Sequence, residues 1–314
     1  MEQSSFTVRG RTNFGELHSK VVIDKRTVII AEISGDSIDV RYWNCVGRFP
    51  IQPELYSIKV DAVPKLLNSI QVNGKTILFN YLRTRRDPEV NWELWDVASS
   101  LPVQIPLPNC DSFLAEEERE MQCDWLLDSN DTSELLVATF HRNGFFKFVL
   151  VFEGFLAQKY LHRIEMPSNM VVYHHYRSNL MLTVVGDGTV KRTVLVGCAI
   201  SPFNVHVIDL LKGQVVLTSR LSTFHGMTGP FLFPLEGQDE FEVTGEQHEL
   251  DTKRINWDGK NWTLSTHLVP RPRKVEELET AIVHTITETR VLWDLPGNYG
   301  SSRNFAVCDF LLNE

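Results

Sequence analysis

Six times along this chain a run of alternating or β-branched residues closes on an apolar residue followed by an acid or an amide. The pairs are Trp43-Asn44, Trp95-Asp96, Phe152-Glu153, Ile208-Asp209, Trp257-Asp258 and Cys308-Asp309. Counted from the second residue of each pair, the steps are 52, 57, 56, 49 and 51 residues. Such a recurrence restricts the fold severely. Each repeat is one small unit that cannot bury its own faces, so neighbouring units must stack to make a core. With strand signals throughout, a period of about fifty residues is that of a β-propeller, one four-stranded blade per repeat.

The strand signals resolve into sets of four. In the first set, residues 21–24, 27–33 and 37–44 are β-branched or alternating runs broken by Lys-Arg and Gly-Asp turns, and 55–60 follows. Runs of this kind bounded by turn residues read as strands. The second set spans 66–72, 75–82, 90–97 and 101–107, and its first turn is Asn73-Gly74, the strongest short-range hairpin signal. The third spans 123–128, 134–141, 145–153 and 158–166, with Asn143-Gly144 between its middle strands. The fourth holds one or two strands within 170–185, then 193–200, 204–211 and 214–221. The fifth is 230–235, 240–244, 249–257 and 262–269.

The sixth set is one strand short: 281–287, 290–295 and 304–312 exhaust the chain. Residues 5–10, which precede the first set, supply the missing outer strand, so the two ends of the chain pair and leave no open sheet edge. The expectation is an all-β propeller of four-stranded blades occupying residues 1–314 as a single domain. The count is six blades, or seven if residues 170–200 hide a further half-blade. Helix is confined to the acidic runs 113–121 (FLAEEEREM) and 275–281 (VEELETA), each a turn or two in a loop between blades.

Composition excludes several classes. The net charge is −9, which speaks against a nucleic-acid partner. No run of about eighteen apolar residues exists, so no membrane-spanning helix is expected. The opening MEQSSFTVRGRTNF carries no apolar core of signal-peptide length. The five cysteines, Cys45, Cys110, Cys123, Cys198 and Cys308, are odd in number and widely spaced. They read as free thiols in a reducing compartment rather than a disulfide framework or a zinc site. A cytoplasmic or nuclear protein is expected. The sequons at Asn130-Asp131-Thr132 and Asn261-Trp262-Thr263 then have no glycosylation to carry.

The blade ends resemble those of WD repeats. Residues 93–107 (ELWDVASSLPVQIPL) look like the third strand, turn and fourth strand of such a blade, and residues 204–221 (NVHVIDLLKGQVVLTSRL) have the same shape. The resemblance implies that Asp96, Asp209 and Asp258 sit in the tight turn between strands three and four and accept turn N–H bonds. Asn44 and Glu153 substitute for that aspartate in their blades, and Asp309 takes its place if the N-terminal strand follows it in space. The Gly-His pair that opens WD repeats is missing from nearly every blade; His225-Gly226 has the two in reverse order, and Trp293-Asp294 falls out of register on an inner strand. The phrasing is also similar to propeller regions of divergent fungal F-box proteins, without the F-box helices.

The same resemblance implies that loops between strands two and three and loops between blades share one face, where partners bind. Arg83, Arg85 and Arg86 lie in the strand-two-to-three loop of the second blade, and Glu116, Glu117, Glu118 and Glu120 in the next inter-blade loop. Together they make a bipolar docking surface, since arginine forks recognise carboxylates and phosphates bidentately, or two solvated loops that neutralise each other. Arg271, Arg273 and Lys274 form a further basic candidate on this face.

Other polar clusters carry less. His174 and His175 in Tyr173-His174-His175-Tyr176-Arg177 are adjacent, so a regular strand sends them to opposite faces and one metal cannot take both. Glu246, His248, Glu249 and Asp251 read as a solvent-facing strand edge. No nucleophile elbow, phosphate loop or HExxH pattern is present, and Gly186-Asp187-Gly188 is a turn with no helix behind it. The reading is a noncatalytic scaffold that docks protein or peptide partners on the loop face, without cofactor or metal, as a monomer within a complex. A propeller-fold hydrolase with carboxylates at the channel mouth, or a substrate-receptor subunit of a ubiquitin ligase, are the alternatives; fold alone does not separate them.

Overall fold

The computed structural model describes residues 3–9, 19–24, 27–44, 54–60, 63–83, 90–128, 134–168, 170, 180–185, 192–199, 204–220, 227–228, 231–232, 249–258, 260–270, 282–286, 290–295 and 302–309. These form six four-stranded antiparallel sheets, five of them simple up-and-down meanders. The N-terminal strand β1 (Gln3–Arg9) stands apart in sequence from the sheet it joins. The first sheet is β2 (Ser19–Asp24), β3 (Thr27–Ser34), β4 (Ser37–Asn44) and β5 (Glu54–Lys59). The second is β6 (Leu66–Asn73), β7 (Thr76–Leu82), β8 (Val90–Asp96) and the short β9 (Val103–Ile105). The third is β10 (Gln122–Leu127), β11 (Leu135–Arg142), β12 (Phe145–Glu153) and β13 (Lys159–Glu165). The fourth is β14 (Leu180–Val185), β15 (Arg192–Ala199), β16 (Asn204–Asp209) and β17 (Gln214–Arg220).

The fifth sheet is β18 (Met227–Thr228), β19 (Phe231–Leu232), β20 (Glu249–Trp257) and β21 (Trp262–Pro270). The sixth is β22 (Ile282–Ile286), β23 (Arg290–Leu295) and β24 (Ser302–Asp309), with β1 completing it antiparallel to β24 from Gln3↔Cys308 to Arg9↔Ser302. The first strands of successive sheets approach one another in order: β2 to β6, β6 to β10, β10 to β14, β14 to β18, β18 to β22, and β22 to β2. Sheets set side by side around a line of innermost strands are propeller architecture.

Why the middle strands read as continuous apolar runs follows from this stacking. On β7, Ile77, Phe79 and Tyr81 pack with Ile29, Ile38 and Ile58 of the first sheet, while Leu78 packs with Leu136, Phe140 and Phe148 of the third. Successive side chains leave a strand on opposite faces, and both faces are covered by a neighbouring sheet. The third sheet repeats the pattern: Leu136 and Ala138 face the second sheet, Leu135 and Val137 face the fourth beside Leu195 and Ile208. Burying one such side chain contributes about 1.5–3 kcal/mol.

Polar side chains stitch one sheet to the next. Gln71 of β6 donates from Nε2 to the Trp125 carbonyl at 3.0 Å and accepts the Leu127 N–H at 2.8 Å, so its amide serves as the missing strand partner of β10. Asn73 donates to the Asp128 carbonyl at 2.7 Å, and the fully buried Asp128 accepts the Thr193 hydroxyl of the fourth sheet at 2.8 Å. Lys75 reaches back to Glu54 and the Tyr56 hydroxyl of the first sheet, with its ammonium 4.3 Å from the Tyr42 ring centre. His162 meets the Leu210 carbonyl of the fourth sheet.

Within residues 170–185 the described strand is β14, residues 171–179 lie outside the described residues, and Met170 offers its carbonyl to the Phe146 N–H at 3.0 Å. The fifth sheet needs correction. The second strand of the fifth sheet is Phe231–Leu232, paired to β20 through Phe231↔Arg254, and residues 240–244 lie outside the described residues. The acidic run 113–121 forms two short 3-10 turns, Asp111–Phe113 and Glu116–Glu118, because its helix formers are cut by Leu114-Ala115 in extended conformation. Residues 275–281 are outside the described residues.

Candidate functional site

Arg83 follows β7 and is exposed, and among the described residues it makes no ion pair. Arg85, Arg86, Arg271, Arg273 and Lys274 lie outside the described residues, as do His174, His175, Glu246 and His248. The acidic loop, by contrast, is described throughout. It is a strap packed along the outer rim of the third sheet.

The strap exists because β9 stops early. It pairs only Val103, Gln104 and Ile105 with the last residues of β8, so the outer half of the cleft between the second and third sheets is left without a strand. Residues 106–121 fill it. Leu107, Cys110, Phe113, Leu114 and Met121 pack against the core formed by Trp125, Phe148 and Phe152. Phe113 stacks on Tyr160, ring centres 4.2 Å apart, and meets the edge of Phe152 at 6.0 Å. Two short turns satisfy the backbone locally: the Phe113 N–H donates to the Cys110 carbonyl and the Met121 N–H to the Glu118 carbonyl.

One arginine holds the acidic end. Arg163 of β13 donates from both terminal nitrogens to the two Glu118 oxygens, at 2.9 and 2.8 Å, and from Nε to Glu165 at 2.6 Å. Its guanidinium lies 3.5 Å from the centre of the Phe148 ring. A planar fork that binds a carboxylate bidentately and stacks on an aromatic face is arginine chemistry that lysine does not reproduce. The Arg163 hydrogen bonds, helped by the Ala115 N–H, lower the Glu118 carboxyl to about 2. The same Glu118 hydrogen bond pushes the Arg163 guanidinium further up.

The remaining acids point outward. Glu116, Glu117 and Glu120 are exposed. Glu120 stands 3.8 Å from Arg142, at the hairpin turn between β11 and β12, so the strap ends on the loop face. Among the described residues the acidic strap is paired by arginines of the third sheet, Arg163 with Glu118 and Arg142 with Glu120, while Arg85 and Arg86 lie outside the described residues. Sequence reading missed Arg163, since a lone arginine on an alternating strand carries no local signal of a partner in a distant loop.

Within the strap, burial pushes the Cys110 thiol up to about 12. Burial pushes Cys123 up as well, reinforced by the neighbouring Cys110 and Asp124. Both are free cysteines. Close by, the buried His141 ring is 2.9 Å from Asp124. Among the described residues no group of three or more His, Cys, Asp or Glu is placed to hold a metal ion. No described helix is long and apolar enough to cross a membrane.

The opposite end of the sheets carries the strand-three-to-four turns, and there the aspartates behave as expected. Asp96 accepts the Ala98 N–H at 2.8 Å. Asp209 accepts Leu211 and Lys212 N–H groups, each at 3.0 Å. Asp258 accepts Lys260 and Asn261 N–H groups at 2.8 and 2.7 Å. Glu153 is the exception. It stands 3.9 Å from Lys159, and the turn N–H of Phe155 is taken by Glu134 at 3.3 Å. The side chains of Asn44 and Asp309 are outside the described set.

No family model matches the chain, and no curated protein matches it. Among solved structures it is similar to the AfRom2 CNH domain, at 11% identity and a TM-score of 0.33 over 96% of this chain and 66% of that one. It is similar to TolB from Acinetobacter baumannii, at 11% identity and 0.40 over 93% and 64%. It is likewise similar to the β-propeller domain of the Trilobed protease from Pyrococcus furiosus, at 11% and 0.39 over 93% and 84%. The chain thus spans just under two thirds of the length of the first two. Likeness at this level assigns it neither activity nor partner.

Proposed function

We propose that this chain is a noncatalytic interaction scaffold, a WD-like propeller of six blades closed by pairing of its N- and C-terminal strands, which docks protein or peptide partners on its loop face. Ring closure is supported by the β1–β24 ladder and by the approach of β22 to β2. A closed ring leaves no edge that demands a second copy, so the protein acts as a monomer within a complex, in the cytoplasm or nucleus. The observation that carries the docking reading is the strap. Its acidic end is held by a bidentate arginine while Glu116, Glu117 and Glu120 project outward beside Arg142, with Arg83 in the next sheet's loop. Pre-ordered charges of both signs at a rim steer a charged partner and set its orientation. Arg85, Arg86, Arg271, Arg273 and Lys274, which lie outside the described residues, are proposed as further basic contacts from their places in the sequence alone.

The test is affinity purification of the tagged chain from its native cells, followed by a comparison of variants. Reversing Glu116, Glu117 and Glu120 to lysine, or Arg83, Arg85 and Arg86 to glutamate, is expected to reduce recovery of a stoichiometric partner at least about tenfold. Lys212→Glu, at the turn end, is expected to leave it unchanged. Retention of every partner by both loop-face variants overturns the choice of surface.

A further inference from the structure

We infer that the strap is a latched lid, with Arg163–Glu118 as its latch, occupying in cis a docking site on the third sheet for a segment that carries an aromatic side chain and a carboxylate. Three observations bear this. First, among the described residues the backbone hydrogen bonds of residues 107–120 stay within the strap; none joins it to a strand. Its attachment is by side chains: the Phe113 stack, the Glu118 pair, the Glu120–Arg142 pair, the Gln158 amide on the Pro106 carbonyl and the apolar contacts of Leu107, Cys110, Leu114 and Met121. An element bonded this way separates without breaking any sheet ladder.

Second, the surface beneath has the composition of a recognition site. Tyr160 and Phe152 offer ring faces and edges to Phe113, and Arg163, braced on Phe148 and by Glu165, presents its fork to Glu118. Aromatic anchors beside a bidentate arginine are what dominates peptide-binding interfaces. Third, the strap defines the ligand by example, with a phenylalanine and a glutamate five positions apart. A competing segment of the same chemistry takes the site when the lid lifts. The cis occupant lowers the affinity of any such segment by the fraction of time the lid is closed. The inference stands on the strap's own contacts and holds whichever partner the loop face binds.

Cys110 and Cys123 report on the lid, since both border the core it covers and neither ionises readily while buried. The full-length protein is pulsed with iodoacetamide under native conditions, and labelling is read cysteine by cysteine by mass spectrometry. Cys110 and Cys123 are expected to label together, far more slowly than in the same protein unfolded in urea. Glu118→Gln is expected to accelerate both by roughly tenfold. Labelling of the two at unrelated rates, or no change in Glu118→Gln, overturns the lid.

The site is probed separately with a fluorescent peptide of residues 111–119 (DSFLAEEER). It is expected to bind the Phe113→Ala/Glu118→Gln variant at least about tenfold tighter than the wild type, and to lose that binding when Arg163→Gln is added. Equal binding to all three proteins, or to none, overturns the docking site even where the lid opens. Should the double variant fail to fold, the single Glu118→Gln, which keeps the side-chain shape, decides by the same comparison.

Discussion

The strand-three-to-four turns and the strap face the same requirement, since both must satisfy backbone polar groups that no neighbouring strand reaches, and they meet it at different ranges. In the turns the acceptor is two or three residues away: Asp209 serves Leu211 and Lys212, and Asp258 serves Lys260 and Asn261. The turn is complete as soon as the hairpin forms. The strap also satisfies its own N–H groups, but what holds it to the sheet is remote. Glu118 and Arg163 are 45 residues apart, and Phe113 finds Tyr160 only when β13 is in place. Local devices make a segment autonomous; remote ones make it separable.

Substitutions break this comparison by degrees. The largest effect is expected at the floor beneath the strap: Phe152→Ala removes a buried ring that touches Trp125, Phe113 and Tyr160, and is expected to cost about 3–5 kcal/mol in chemical denaturation. Next comes the turn end, where Asp209→Ala leaves the Leu211 and Lys212 N–H groups without their carboxylate at a buried position, about 2–3 kcal/mol by the same measurement. Gln71→Ala takes both bonds from the β10 edge and is expected to cost about 1–2 kcal/mol. If Gln71→Ala proved as costly as Phe152→Ala, amide stitching rather than ring packing would carry the contact between the second and third sheets.

The latch sharpens the contrast through pH. The Glu118 carboxyl is about 2 in the folded protein against 4.5 for an ordinary glutamate. Its contribution is therefore fully present above pH 4.5 and is lost as pH falls toward 2. Protection of the amides of residues 111–121 against exchange, with the intrinsic pH dependence divided out, is expected to fall in that window for the wild type. The Glu118→Gln variant is expected to show low protection already at neutral pH and no further change across the window. The smallest effect is expected for Asp96→Ala, which loses one N–H bond at a half-exposed turn, about 0.5–1 kcal/mol. A loss there as large as at Asp209 would mean that the turn carboxylates act by more than local hydrogen bonding.

Much of the fold was legible because its signals are local. Asn143-Gly144 forms the hairpin expected of it, with φ of 55° and 79°, a backbone that these two residue types tolerate best. The short sixth set and the surplus N-terminal strand pair as β24 and β1. In the fifth sheet Phe231–Leu232, inside the run expected as the first strand, is the second strand beside β20; an apolar run signals a strand but not its neighbour. Glu153 was misassigned for a different reason. The repeat places it correctly, but Gly154 turns the chain at a φ of 77°, and Glu134, next to the start of β11, takes the Phe155 N–H instead.

What the amino-acid sequence determined by itself is the repeat, the strand order and the tight turns, because β-branched alternation, Asn-Gly pairs and turn aspartates act over two to four residues. What only the tertiary structure decided is which charges are spent and which remain. Glu118 and Glu117 are adjacent and chemically identical, yet one is clamped by Arg163 and the other is exposed. That division follows from β9 ending after three residues and opening a cleft for the strap, a consequence of sheet packing that no local pattern encodes.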